Sequence, residues 1–277
     1  MHKATRKVLR DGRLILGGGT VLVLVFAAIW GPALSPYNPI KQNLPGQFQP
    51  PSLDHWMGTD KFGRDIFSRV LVGTRISLGV SLASVLIGAL AGSFLGLVSG
   101  FYGRALDLVF MRLIDALIAI PTILLALVFI ATWGASVPLV IVAIGIAVTP
   151  GFARLVRSQV ISLKEEDYVL AARSLGAGNA RLMWRHVLPG TVSTLVVTAT
   201  FMLATAILVE ASLGFLGLGI QRPTPTWGNV INDGLALLNR APWIAVFPGV
   251  AISITVLAFN LVGDALRDQL DPRLRRN

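Results

Sequence analysis

The chain contains no cysteine. That removes disulfides, iron–sulfur clusters and thiolate zinc sites from consideration. Histidine is scarce: His2, His55 and His186 lie far apart in sequence. Their separation argues against a transition-metal site built by this chain alone. Charge is scarce as well. Only 14% of the 277 residues are Asp, Glu, Lys or Arg, against about 25% in a soluble domain. A water-facing surface needs more charge than that, whereas a lipid-facing surface needs none. Neither H-E-x-x-H nor G-x-S-x-G occurs, so the motifs of metalloproteases and serine hydrolases are missing. None of the five lysines follows a glycine, which a G-x-x-x-x-G-K-[ST] phosphate loop requires, so ATP is not bound in that mode.

What fills the chain is apolar: 54% hydrophobic residues and a mean hydropathy of +0.71. A helix needs about 20 mostly apolar residues to cross the hydrocarbon core. Six stretches qualify: Leu14–Leu34, Ile76–Gly100, Leu108–Ala131, Val137–Ala153, Thr191–Ala211 and Trp243–Val262. The first exceeds the h-region of a cleavable signal and ends in a bulky, Pro-rich sequence, so it reads as a retained anchor. The expected fold class is an all-α polytopic membrane protein with six transmembrane helices.

The net charge of +10 sets the orientation. With the N-terminus in the cytoplasm, Lys3, Arg6, Lys7, Arg10, Arg13 and Arg104 lie inside. So do Arg154, Arg157, Lys164, Arg173, Arg181 and Arg185, and the tail residues Arg267, Arg273, Arg275 and Arg276. With Arg75 and Arg112 set aside at or within spans, Lys41, Lys61, Arg64, Arg69, Arg222 and Arg240 lie outside. The positive-inside rule places both termini in the cytoplasm, and the basic excess reads as membrane-face charge rather than nucleic-acid binding. The expected division is a cytoplasmic segment 1–13, a first span 14–34 and an outer loop 35–75. A core 76–264 with five spans follows, and then a cytoplasmic tail 265–277.

Gly88, Gly92, Gly96 and Gly100 recur every four residues in the second span. That spacing keeps them on one helix face, where a second helix can approach closely. Polar groups within spans are few. Arg112 and Asp115 are spaced to pair on one helix face, and Pro121 should kink that span. Glu210 stands nearly alone, facing the pore or capping a neighbouring helix. An ion-coupled secondary transporter would want more such groups at mid-membrane.

The longest inner loop, 154–189, reads as helix, glycine turn, helix. Asp167 is the expected N-cap, with Glu165 and Glu166 suited to a helix N-terminus. Tyr168, Ala171, Ala172 and Leu175 share a face, Gly176 stops the helix and Asn179 caps the next. Small residues at Ala171, Ala172, Gly176 and Ala177 suit insertion into a partner's groove.

This loop resembles the EAA motif, E-A-A-x3-G-x9-I-x-L-P, of ABC importer permeases. Ala171, Ala172, Gly176, Leu188 and Pro189 match; Leu170 replaces the Glu and His186 the apolar residue. Residues 55–69, Phe215–Gly219 with Pro223–Gly228, and Phe259–Pro272 look like segments of the dipeptide/oligopeptide/nickel branch, in its "C" type with one helix before the core. The resemblance implies a type I importer (MetI-like) permease fold in a bacterial inner membrane. It implies a coupling helix whose ATPase-docking residues are Glu166, Asp167, Tyr168, Ala171, Ala172, Leu175, Gly176 and Ala177. It also implies a second permease subunit, two ATP-binding cassette ATPase subunits that hold the ATP and Mg, and an extracytoplasmic substrate-binding protein. This chain would then be no enzyme and would carry no cofactor. It would form half of a pore for peptides, or for nickel or another small solute.

The outer loop begins extended, with Pro36, Pro39, Pro45, Pro50 and Pro51. A helical pattern follows from Phe62 to Thr74, in which Asp65 and Arg69 can pair. Arg64 and Asp65 are candidates for contact with the binding protein; the alternative is a structural clamp.

Overall fold

The computed structural model describes residues 12–270. The basic residues Lys3, Arg6, Lys7 and Arg10 of the N-terminal segment lie outside the described residues. So do Asp271, Pro272, Arg273, Arg275 and Arg276 of the tail. Among the described residues the architecture is helical, apart from one isolated bridge between Thr59 and Asp65.

Helices α1 (Gly12–Leu34) and α2 (Ile66–Tyr102) are followed by α3 (Arg104–Ile118) and α4 (Thr122–Trp133). Then come α5 (Val137–Leu163), the short α6 (Asp167–Ser174) and α7 (Leu188–Phe215). The short α8 (Trp227–Gly234) precedes α9 (Trp243–Leu270). Helices α1, α2, α5, α7 and α9 are each long and apolar enough to cross a membrane. The expected third span is not one kinked helix: α3 and α4 meet at 90°. Pro121 cannot donate to the preceding turn, so the chain breaks at residues 119–121 and restarts at Thr122. The other helices overrun their apolar stretches. Helix α2 starts at Ile66 because Asp65 caps it there, its carboxylate accepting the Ser68 N–H at 2.7 Å.

Helices α2 and α5 lie side by side and run the same way. A Cβ added at Gly88 would fall 2.5 Å from Val148 Cγ2, and at Gly92 2.6 Å from the Thr149 carbonyl oxygen. At Gly100 it would fall 2.9 Å from the Arg157 carbonyl oxygen; Gly96 meets Ala153 and Arg157 in the same way. The stripe is therefore a close backbone contact along just over three turns.

Three buried clusters fill the bundle. The middle one includes Val80, Val85, Ile144, Phe152 and Leu213. One at the α2 start gathers Ile66, Val70, Trp227, Val230 and Ile244. One at the α2 end gathers Leu97, Phe101, Val156, Val160, Val169 and Val187. These are called here the outer and inner ends, after the charge distribution. Helix α1 rests on α2 and α9, with Gly17 against Ala258 and Leu261 and Gly31 against Leu71.

Candidate functional site

The inner end carries the element singled out by the sequence. Helix α5 stops at Lys164, whose Nζ donates to the Gly100 carbonyl at 3.1 Å. After a turn, α6 begins. Its N-cap is Glu166, not Asp167, and no side chain makes a cap hydrogen bond. Asp167 is instead the first helical residue, where its charge faces the positive helix end. Asn179 likewise follows its cap position, which Gly178 holds. Both differences are a single-residue shift of the helix start.

The end of α6 is closed by backbone bonds. Gly176 has φ +87°. Its N–H donates to the Arg173 carbonyl at 2.9 Å, and the Ala177 N–H to the Ala172 carbonyl at 3.1 Å. This pair defines a Schellman stop, which needs a residue with positive φ at Gly176. The expected small-residue face divides in two. Val169 is fully buried, and Ala172 and Ala177 pack on the inner cluster of the chain itself. They are withdrawn from the partner-facing set, because they follow Val169 on the face that covers Leu182 and Val187. The exposed side keeps Glu166, Asp167, Tyr168, Ala171, Leu175 and Gly176. Leu175 is 89% exposed. The Tyr168 hydroxyl donates to the His186 carbonyl at 3.2 Å, tying α6 to the π-helical turn Leu182–Val187 before α7. The result is a short, rigid knob with an acidic start and an apolar tip.

At the outer end, loop and helices are joined by buried ions. Asp60 accepts Arg64 Nε and Arg69 Nη1, each at 2.6 Å. Asp233 on α8 accepts Arg64 Nη2 at 3.0 Å, Arg69 Nη2 at 3.1 Å and Arg222 Nη2 at 2.7 Å. Burial alone would raise the Asp233 carboxyl, but Arg69, Arg222 and Arg64 outweigh it and hold it below the ordinary carboxylate range. Arg64 and Asp65 are 4% and 3% exposed, so neither side chain offers surface to another protein. Asp65 caps α2 and holds His55 Nδ1 at 2.9 Å; Arg69 pairs with Asp60 and Asp233 rather than with Asp65. These residues form a clamp. Trp227 seals it, fully buried, its indole N–H donating to the Val70 carbonyl at 3.1 Å.

Two further expectations shift. Asp115 pairs with Arg154 of α5 at 2.6 Å and not with Arg112, because the bend turns α3 across the inner end of α5. Glu210 is 1% exposed beside the Ser77 and Thr226 hydroxyls. Neither hydroxyl lies in hydrogen-bonding geometry to its carboxylate oxygens, and Glu210 caps no helix. The tertiary ion cluster was not visible from sequence, since its partners are up to 169 residues apart.

A bundle of spanning helices with one broken passage and a projecting helix at the inner face is the architecture of a membrane transport permease. The chain belongs to the binding-protein-dependent transport system inner membrane components, whose family model matches residues 70–276. The N-terminal TM domain of oligopeptide transport permease C matches residues 1–51, which accounts for α1 ahead of the core. The chain is 42% identical over 270 residues to the dipeptide transport system permease protein DppC of Alkalihalophilus pseudofirmus, covering 97% of this chain and 89% of that one. It is 45% identical over 271 residues to the glutathione transport system permease protein GsiD of Pectobacterium atrosepticum, covering 98% and 90%. Two solved structures share the fold. The MetNI methionine ABC transporter in inward-facing conformations aligns with TM-score 0.58 at 19% identity, covering 73% of this chain and 97% of that one. An amino acid ABC transporter crystallised with histidines aligns with TM-score 0.56 at 16% identity, covering 73% and 94%. The MetI-like permease fold and the assignment to a bacterial ABC importer thus stand.

Proposed function

We propose that this chain is one half of the translocation pore of an ATP-driven importer of short peptides. The observation that carries this is near-complete alignment at 42–45% identity with dipeptide and glutathione permeases. Its partners are a second, different permease, two ATPase subunits that bind ATP and Mg, and an extracytoplasmic binding protein. Both termini face the cytoplasm. The chain itself performs no covalent chemistry and holds no cofactor.

In this reading α6 is the docking element, and its exposed face seats in a cleft of the ATPase. Leu175 is the apolar end of that exposed face, and seating it in a cleft would remove its side chain from water. The closed Schellman turn supports the docking role, since a pre-ordered element loses little entropy on docking. The experiment is reconstitution of the full complex with Leu175→Glu. The variant should insert and pair with its sister permease yet lose ATPase association and coupled dipeptide uptake. Normal ATP-driven uptake by this variant would refute the docking assignment. Uptake of a labelled dipeptide and of glutathione by the unaltered complex, with and without ATP, tests the substrate class separately.

A further inference from the structure

A cavity of about 440 Å³ opens on the inner half of α7, walled by α5 and α9. That volume lies within the range of about 300–1,000 Å³ typical of small-ligand pockets. Leu155 and Phe201 supply apolar wall; Ser193, Thr194 and Thr198 supply hydroxyls; Arg267 stands on the α9 side.

Many Ser and Thr of the spans donate to a carbonyl one turn back: Thr74 to Val70, Ser84 to Val80, Thr149 to Gly145, Ser212 to Leu208. Such bonds quiet a hydroxyl in an apolar setting. Among the described residues Ser193 and Thr198 make none. Thr194 accepts from Gln159 Nε2 at 2.6 Å, which leaves its own hydrogen free to donate. Arg267 makes no ion pair with any described residue, although Asp268 beside it pairs with Arg13 at 2.7 Å. The cavity therefore presents a guanidinium and hydroxyl donors, and no carboxylate lines it. The hydroxyls lie within the α7 span, where polar groups mark a solute path rather than a lipid face, and Arg267 stands at the cytoplasmic mouth of the cavity.

We propose that this cavity is a solute subsite on the inner half of the pathway, where Arg267 takes the terminal carboxylate of a peptide. The α7 hydroxyls contact its amide groups, and Phe201 and Leu155 contact its side chains. Arg suits this task because its planar fork matches a carboxylate. The assignment rests on the peptide-import reading.

The absence of native cysteine makes the test clean. Thr198→Cys is introduced into the full complex in inverted membrane vesicles and labelled with a membrane-impermeant methanethiosulfonate reagent. Labelling of this chain is followed by gel, with alanyl-alanine or its C-terminal amide as the protecting probe. The reagent should reach the Thr198→Cys site, and the free acid should protect at concentrations about tenfold lower than the amide. Adding Arg267→Gln should abolish that difference, and Arg267→Lys should restore part of it. No labelling overturns the proposal, as does equal protection by acid and amide, or a difference that survives Arg267→Gln. ATP-dependent alanyl-alanine uptake by the unaltered complex separates the two failures. Uptake without protection defeats this subsite alone; no uptake defeats the peptide reading.

Discussion

Gly92→Ala isolates the contact between α2 and α5. The new methyl would lie 2.6 Å from both the Thr149 carbonyl oxygen and Phe152 Cβ, and 2.9 Å from the Ala153 nitrogen. Ordinary contact begins at 3.4 Å. Two of the three obstacles are backbone atoms, so no side chain can rotate away, and the helices must separate by about 0.8 Å. Overpacking of this kind costs about 1–3 kcal/mol. Replacing Gly by Ala inside a helix returns about 0.5–1 kcal/mol, leaving a net loss of about 1–2 kcal/mol. At about 2–4 °C per kcal/mol for a chain of this size, detergent-purified protein should melt several degrees lower. Gly79→Ala is the internal control. It lies in the same helix, and its Cβ would meet nothing within 4 Å, so only the helix gain remains and the melting point should hold or rise. Thermal unfolding monitored by size-exclusion chromatography reads both. If Gly92→Ala melts no lower than Gly79→Ala, the close-contact account of the stripe is wrong.

The outer clamp gives two further expectations. Asp60→Asn removes one of the two carboxylates shared by Arg64 and Arg69 and leaves buried positive charge undercompensated. The loss should be about 3 kcal/mol, read as a lower melting temperature in the same assay, and an unchanged value would refute it. Asp233 is held below the ordinary carboxylate range, so its contribution is present above about pH 3.9 and lost as pH falls through its lower folded value. The stability gap between the parent and Asp233→Asn should therefore stay constant from pH 7 to pH 5 and shrink only under stronger acid. A gap that closes between pH 7 and pH 5 would contradict this.

Features with a local period were legible in the sequence; features made by the fold were not. Gly88 to Gly100 could be read because one helix carries all four, and a spacing of four means one face. Gly176 could be read because a helix stop needs positive φ. The side of α6 facing inward could not: Ala171 and Ala172 look alike in sequence, and only the position of Val169 against Leu182 and Val187 distinguishes them. Ion pairs were misassigned for the same reason. Asp65 with Arg69, and Arg112 with Asp115, had correct helical spacing, but Asp60, Asp233 and Arg154 offered better geometry from other segments. Pro121 was legible as a disturbance, while the size of the resulting bend depends on what α3 and α4 pack against.

Helix α2 has a mechanical consequence. It runs unbroken for 37 residues, about 55 Å at 1.5 Å per residue, from the buried ions at Arg69 to the Lys164 contact at Gly100. Its glycines lock it to α5, which continues through one turn into α6. The pair behaves as a stiff beam with a handle at one end and a clamp at the other. Tilting it by about 5° swings the far end by about 5 Å, close to one helical turn, with no hinge along α2 to absorb the stroke.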